Sequence, residues 1–321
     1  MERFDFIIDA SDAGKRLDHV LHAHFPTFSR SHIQRAIKEG HILMNAKNVA
    51  VHHFLKTGDT ISGTLEERAT LTCTPNAALT IPIITETQDY LIINKPSGIV
   101  VHQAEGHREP DTVANWAVAH APALATVGDD VLRPGIVHRL DSDVSGCMVI
   151  AKTAPMFTHL KQAFQEGRVE KIYTALVYGV MPDRGGTIDF GIARSATKGG
   201  RMAARPIKTS DTKHLTPDSD DIKDAITEYT VIQQFQQYAL LEVRPKTGRT
   251  HQIRVHLYAL GYPIVGDPLY KPKVQRTTIV ERIFLHARQL SFTDLVGQKQ
   301  TFTSPLPAQL QEVLGKLDFR N

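Results

Sequence analysis

Apolar and polar residues alternate along this chain in two rhythms that change near residue 80. In the first stretch, Arg16-Leu17-Asp18 with Val20, Leu21 and Phe25 predicts a short amphipathic helix. A second helix carries Ile33, Ala36 and Ile37, with Ser29 as its N-cap and Gly40 at its end. Strand-like Ile42-Leu43-Met44 follows, then a turn at Asn45-Ala46-Lys47 and another at Lys56-Thr57-Gly58-Asp59 before Thr60-Ile61. Two helices and short strands predict a small α/β unit over residues 15–65. Residues 66–79 show no period and predict a linker.

From residue 80 to 317 strand-like and helix-like stretches are mixed. Strands are expected at Ile81–Thr85, Tyr90–Asn94, Ser145–Ala151, Ile172–Tyr178, Ile226–Gln233, Ala239–Val243 and Phe284–Phe292, and helices at Thr112–Ala119, Met156–Glu166 and about Thr250–Leu260. No fixed repeat period occurs, which argues against a solenoid or propeller and for an α+β domain around a large sheet. Residues 195–225 are polar, contain Gly199-Gly200 and an acidic cluster from Asp218 to Asp224, and predict a mobile insertion.

A length of 321 residues suits two domains. The formal charge is 37 − 34 = +3, so contact with nucleic acid would rest on local clustering. The N-terminus lacks a basic region followed by an apolar stretch, and no apolar run approaches the roughly 18 residues that span a bilayer. A soluble cytoplasmic protein with no membrane association is expected. Two cysteines, Cys73 and Cys147, offer no disulfide framework and no metal-binding spacing.

The most informative segment is Arg133-Pro134-Gly135-Ile136-Val137-His138-Arg139-Leu140-Asp141-Ser142-Asp143-Val144-Ser145-Gly146, which leads into the apolar run Cys147–Ala151. It sets a carboxylate, Asp141, beside a guanidinium, Arg139, on a loop feeding a buried strand, an arrangement that presents a charged group at a fixed position. The segment resembles the motif H-R-L-D-x-x-T-S-G-L-L of the RluA-like family of RNA pseudouridine synthases, with Val144 in place of Thr and Cys147-Met148 in place of the paired Leu. Four more segments extend the likeness: Asn94-Lys95-Pro96-Ser97-Gly98 through His102, Lys171-Ile172-Tyr173-Thr174-Ala175-Leu176-Val177-Tyr178-Gly179, Thr247–Leu257 continuing to Gly266-Asp267, and Leu285-His286-Ala287-Arg288. The resemblance implies a pseudouridine synthase fold, a mixed and mainly antiparallel sheet with flanking helices.

It also implies the chemistry: the C–N glycosidic bond of a uridine breaks, the base turns, and it rejoins ribose through carbon. Substrate and product are isomers, so no cofactor or metal is implied. Asp141 would be the nucleophile, acting as a carboxylate on ribose C1′ or uracil C6, alternatives that the sequence leaves open. Arg254 would be its ion partner, Tyr173 would stack on the uracil, with transfer of a proton as a second role, and Arg139 would fill the gap left by the flipped nucleotide. Arg249 is assigned to phosphate, within residues 244–256 where Arg244, Lys246, Arg249 and Arg254 meet no acid. Lys95-Pro96-Ser97-Gly98 would shape a turn under the site.

The first unit resembles the alpha-L RNA-binding domain of the S-four type, through Arg16-Leu17-Asp18, Ser29-Arg30, Ile37-Lys38-Glu39-Gly40, Met44-Asn45 and Gly58-Asp59-Thr60-Ile61. Arg30, Gln34 and Lys38 share one helix face and would contact RNA, although eight Lys/Arg against seven Asp/Glu over residues 1–65 describe an ordinary solvated surface. Members of the family with such a module mostly modify large-subunit ribosomal RNA; tRNA is the second expectation, and no obligate protein partner is implied. A catalytically silent RNA-binding or ribosome-assembly protein is the alternative, against which all the motif residues are present.

Other chemistries fit less well. Ser195-Ala196-Thr197-Lys198, Ser210-Asp211-Thr212 and Lys246-Thr247-Gly248 imitate the elements of a serine acyl-enzyme, but Gly199-Gly200 follow where a helix should continue. His138, Asp141 and Ser145 lack a G-x-S-x-G elbow. His251 and His256 are out of phase for two metal ligands on a helix.

Overall fold

The computed structural model of the chain describes residues 2–28, 30–65, 72–103, 111–195, 201–206, 222–272 and 279–319. They form two compact units, Met1–Leu71 and Thr72–Asn321. Ser29, part of the expected linker and most of the polar insertion, with its serine and lysine elements, lie outside the described residues.

The first unit runs β1 (Glu2–Ile7), α1 (Leu17–His24), α2 (Arg30–Lys38), β2 (Ile42–Met44), β3 (Lys47–Asn48) and β4 (Thr60–Leu65), with sheet order β1-β4-β2-β3. It begins earlier than the expected residue 15, because β1 lies antiparallel to β4 from Glu2↔Leu65 to Ile7↔Thr60. The period-two signal was present in Phe4 and Phe6, and both pack on the core of Leu17, Val20, Leu21, Ile33, Ile37 and Ile61. Gly40 ends α2 at φ +76°, a left-handed position that favours glycine. At the start of α1 the fully buried Asp18 carboxylate takes hydrogen bonds from Arg16, Gln34 and Arg30. Burial works against its charge, but those three donors hold the carboxyl well below the usual range.

The second unit is built on a ten-stranded sheet: β5 (Ile83–Glu86), β6 (Tyr90–Lys95), β7 (Ser145–Ala151), β8 (Glu170–Tyr178), β9 (Gly185–Arg194), β10 (Met202–Pro206), β11 (Ile226–Gln234), β12 (Tyr238–Pro245), β13 (Leu285–Thr293) and β14 (Lys299–Thr303). Its order is β10-β9-β11-β12-β8-β13-β7-β6-β5, with β14 on β13, and all its strand pairs are antiparallel except β13 with β7. Strand β7 is buried along its whole length, as a central strand covered on both faces must be, which is why its sequence is a continuous apolar run. Helices α3 (Val113–His120), α4 (Ala154–Gln165), α5 (Gln252–Ala259) and α6 (Ala308–Gly315) complete the unit. Thr112 and Thr153 cap α3 and α4, and α4 buries Met156, Phe157, Leu160 and Ala163 at helical spacing. Part of the insertion expected to be mobile is strand β10, paired with β9 from Met202↔Arg194 to Pro206↔Phe190. Its short Met-Ala-Ala-Arg run, flanked by Gly and polar residues, has no alternation to reveal a strand.

Strand β13 joins the two sides of the site. Ala287 stands opposite Tyr173 on β8 and Gly146 on β7, so these three residues lie side by side. Gly146 has φ +124°, and a Cβ added there would fall 2.2 Å from the Ala287 carbonyl oxygen. The glycine is required by both the dihedral and the close approach. Gly146→Ala is therefore expected to destabilise the chain by about 3 kcal/mol or more, from backbone strain and displaced strands, measured as a lower urea midpoint with unchanged slope.

Candidate active site

Asp141 stands one short turn before β7, on a loop held from beneath. The Lys95 side chain, at the end of β6, is fully buried and donates to the carbonyls of Pro96, Ile99 and Ser142 at 2.8, 2.7 and 2.8 Å. Three carbonyls satisfy the three donors of one ammonium, although burial pushes its pKa down to about 7. Gly98 N–H donates to the Ser142 carbonyl and Ser97 Oγ to the Asp143 carbonyl. The loop is thus fixed through its backbone, leaving the Asp141 side chain for other contacts.

Those contacts come from α5 and the segment after it. Arg254 Nη1 donates to Asp141 Oδ2 at 2.9 Å, while Nε and Nη2 form a two-bond fork on Asp267 at 2.7 and 2.8 Å. Side-chain exposure is 18% for Asp141, 3% for Arg254 and zero for Asp267. Burial disfavours the guanidinium charge, but Asp267 first and Asp141 second more than offset it and raise its pKa. Leu269 and Tyr270 N–H groups also donate to Asp267 Oδ1. Asp141 Oδ1 receives no hydrogen bond among the described residues.

Asp141, Tyr173 and Arg254 line one cleft of about 910 Å3, together with Leu140, Leu285 and His251. Tyr173 is half-buried on β8, and its phenol is pushed up by desolvation and then by the Asp141 charge. It therefore enters the cleft as a neutral ring. Arg139 is exposed at the cleft rim, with no hydrogen bond or ion pair among the described residues. Arg249 is also exposed there, its Nε donating to the Asp224 carbonyl at 3.0 Å. The local excess of positive charge over residues 244–256 is matched from elsewhere: Arg244 pairs with Glu242, Lys246 with Glu228, and Arg254 with two aspartates. The pairs of the exposed Arg244 and Lys246 are worth little, unlike the buried ones of Arg254. Lys171, whose ammonium burial pushes down to about 8, donates to the Thr247 carbonyl inside the same cleft.

The arrangement separates the His138–Asp141–Ser145 combination. His138 Nε2 accepts from Val149 N–H at 3.0 Å, and its ring stacks on Phe164. Ser145 Oγ is bonded to His286 Nδ1 and Arg282. Arg30, Gln34 and Lys38 lie in the first unit; Arg30 and Gln34 are engaged with Asp18, and Lys38 is exposed. Asp267, His251 and Tyr270 were not singled out as site residues by sequence reasoning. Asp267 lay within a matched motif, but only the fold brings it to Arg254. Among the described residues, no helix is long and apolar enough to cross a membrane.

Residues 89–259 match the RNA pseudouridylate synthase family. An uncharacterized RNA pseudouridine synthase of Chloroflexus aurantiacus is 39% identical, covering 98% of this chain and 93% of that one. The ribosomal large subunit pseudouridine synthase D of Escherichia coli K12 is 34% identical, covering 96% of this chain and 92% of that protein. Among solved structures, human RNA pseudouridylate synthase domain containing 4 superposes with a TM-score of 0.58 at 25% identity, over 75% of this chain and 95% of that one. The chain belongs to the RNA pseudouridine synthase family, in its RluA-like branch, and is an isomerase acting on RNA.

Two expectations follow from this geometry. Arg254→Lys keeps the charge but loses the planar fork that spans both aspartates, so single-turnover rate should fall by about 100-fold with little change in RNA affinity, whereas Arg249→Lys should mainly weaken RNA binding. The second concerns His286, which is fully buried, with Nδ1 accepting a hydrogen bond from the Ser145 hydroxyl and Nε2–H donating to the Ser304 carbonyl. Burial lowers its pKa from 6.5 to about 4. Between those values the unfolded chain binds a proton that the folded chain refuses, so stability falls as pH drops from 6.5 to 4, by on the order of 3 kcal/mol from this residue. Urea unfolding across that range should show a shallower pH slope for His286→Gln than for wild type.

Proposed function

We propose that this enzyme isomerises specific uridines of large-subunit ribosomal RNA, with the Asp141 carboxylate as nucleophile. The observation that carries the reading is the chain Asp141–Arg254–Asp267, whose first two members line the cleft and whose third is sealed behind Arg254. A guanidinium neutralised from behind by one aspartate holds the other in place without taking all of its charge. An ion pair serving stability alone would not need one carboxylate open to a cleft while the other is sealed. The ribosomal target is supported by near full-length similarity to large-subunit synthases of Escherichia coli and Pseudomonas aeruginosa, the latter 35% identical over 95% of this chain.

The remaining roles are those that the family resemblance implies, and the positions of the residues in the cleft support them. Reaching a uridine at the cleft floor requires extrusion of the nucleotide, at a cost of a few kcal/mol, and the exposed Arg139 occupies the space it vacates. The neutral ring of Tyr173 stacks on the uracil, and Arg249 at the rim takes a flanking phosphate. The first unit acts as an S-four-type RNA-binding module; its contact with phosphate falls to Lys38 and the exposed edge of Arg30, because Gln34 and the rest of Arg30 hold Asp18. The reaction takes place in the cytoplasm, where ribosomal RNA is found, and an isomerisation adds no group and transfers no electron to a carrier.

Replacing Asp141 by Asn preserves size and hydrogen bonding but removes the anion. Turnover should fall by at least about three orders of magnitude while RNA affinity stays near wild type. Asp143→Asn is the control, since its backbone carbonyl accepts from Ser97 and Arg282, and the one side-chain hydrogen bond it takes, from Ser142 Oγ, can be accepted by an amide oxygen as well. Mapping of pseudouridine in ribosomal RNA from cells complemented with each variant reads both reaction and target. An Asp141→Asn enzyme that modifies RNA at the wild-type rate would refute the assignment, and unchanged large-subunit RNA on deletion would refute the target.

A further inference from the structure

His251 enters α5 with its backbone in the left-handed region, at φ +56°. It is one of three non-glycine residues with positive φ among those described, and the other two form the surface turn Asn45-Ala46. This conformation aims the imidazole into the cleft. There Nε2 lies 3.9 Å from Asp141 Oδ2, and Nδ1 lies 3.1 Å from the Tyr270 hydroxyl.

Tyr270 is 2% exposed and bound on every side. Its ring is flanked by the guanidinium groups of Arg254 and Arg201, at 5.3 and 4.9 Å from the ring centroid. Its hydroxyl accepts from Met202 N–H at 2.9 Å, leaving one proton to place. The choices are the Met202 carbonyl at 3.3 Å and His251 Nδ1 at 3.1 Å. The imidazole nitrogen is the nearer acceptor. With the proton directed there, His251 is neutral and carries its own hydrogen on Nε2, facing the carboxylate. The charged groups around the ring are Asp141, Arg254, Asp267 and Arg139, and desolvation disfavours a further cation among them.

We propose that His251, kept as the Nε2–H tautomer by the Tyr270 hydroxyl, is a positioning residue for the Asp141 carboxylate. It closes on Oδ2 when RNA is bound, so that Oδ2 is gripped by Arg254 and His251 and Oδ1 is the oxygen that attacks. The 3.9 Å separation is too long for a hydrogen bond, and such contacts commonly tighten only in the substrate complex. A neutral donor fixes the carboxylate without adding a second cation that would blunt it. Because Met202 belongs to β10, the same hydroxyl ties the polar insertion to the active site. The inference rests on Asp141 being the nucleophile.

The test compares three variants in single-turnover reactions at saturating ribosomal RNA. His251→Leu should lower the rate by about 100-fold, the usual consequence of a misplaced reacting group, with RNA affinity within about threefold of wild type. His251→Gln, which retains an uncharged N–H donor, should recover the rate to within about tenfold. Tyr270→Phe keeps the ring between its arginines and should fall between the two. In wild-type enzyme with 15N-labelled histidine, the His251 ring should show its proton on Nε2 and a hydrogen-bonded acceptor at Nδ1, and in Tyr270→Phe the Nδ1 resonance should move to that of an unbonded acceptor. A wild-type rate for His251→Leu, equal losses for Leu and Gln, or a proton on Nδ1 in the wild type would each overturn the proposal. Should His251→Leu fail to fold, His251→Ala takes its place with the same expected loss and the same overturning result. An active Asp141→Asn enzyme would defeat the underlying reading, whereas an inactive one beside unaffected His251 variants would defeat only this inference.

Discussion

One guanidinium shared by two carboxylates governs the geometry of the candidate active site. Arg254 is nearly sealed from solvent, and a lone buried cation would be untenable. Asp267 meets that demand with a fork and is itself fastened by backbone N–H groups of Leu269 and Tyr270. The third donor of Arg254 is thereby aimed at Asp141. Severing such a buried pair costs about 3–5 kcal/mol, comparable with a large share of a domain's stability, so fold and site are not separable here.

The same constraint explains the peculiar backbone around it. Arg254 reaches Asp141 only if α5 begins close to the cleft, and the chain enters that helix through a left-handed His251. Asp267 reaches Arg254 only after a tight turn at Gly266, φ +74°, where an added Cβ would meet the Arg282 carbonyl at 2.0 Å. Gly146 serves the other side, letting β7 approach β13. Glycine or a strained residue stands at each point where the backbone must bend sharply to deliver a side chain to the cleft.

Much of this was legible in the sequence, for identifiable reasons. The run Ser145–Ala151 gave its strand bounds directly because complete burial demands continuous apolar residues. Asp141, Arg139, Arg249 and Arg254 were drawn together by their place in motifs resembling those of the RluA-like family, since an Asp beside an Arg on a loop would by itself read as an ordinary ion pair. The part not legible depends on contacts between distant segments. Asp267 is 126 positions from Asp141 by number, and neither period nor propensity relates them. Strand β10 is short and flanked by polar residues, so it has no pattern of its own and exists through pairing with β9. Gln34 and Arg30 share the helix face that their spacing predicts, yet a buried Asp18 on a different helix redirects them inward.

Two buried cations divide the labour of holding the Asp141 loop. Lys95 binds only carbonyl oxygens and fixes the backbone on one side of Asp141; Arg254 binds only carboxylates and fixes the side chain. The division follows from shape. An ammonium offers three donors that can fan out to carbonyls of separate residues, whereas a planar guanidinium offers parallel pairs suited to carboxylates. Exchanging them would leave carbonyls unsatisfied below the loop and Asp267 with a single partner. Asp141 therefore depends on two supports, one for its backbone and one for its side chain, and because both cations are buried, loss of either one costs stability as well as loosening the carboxylate.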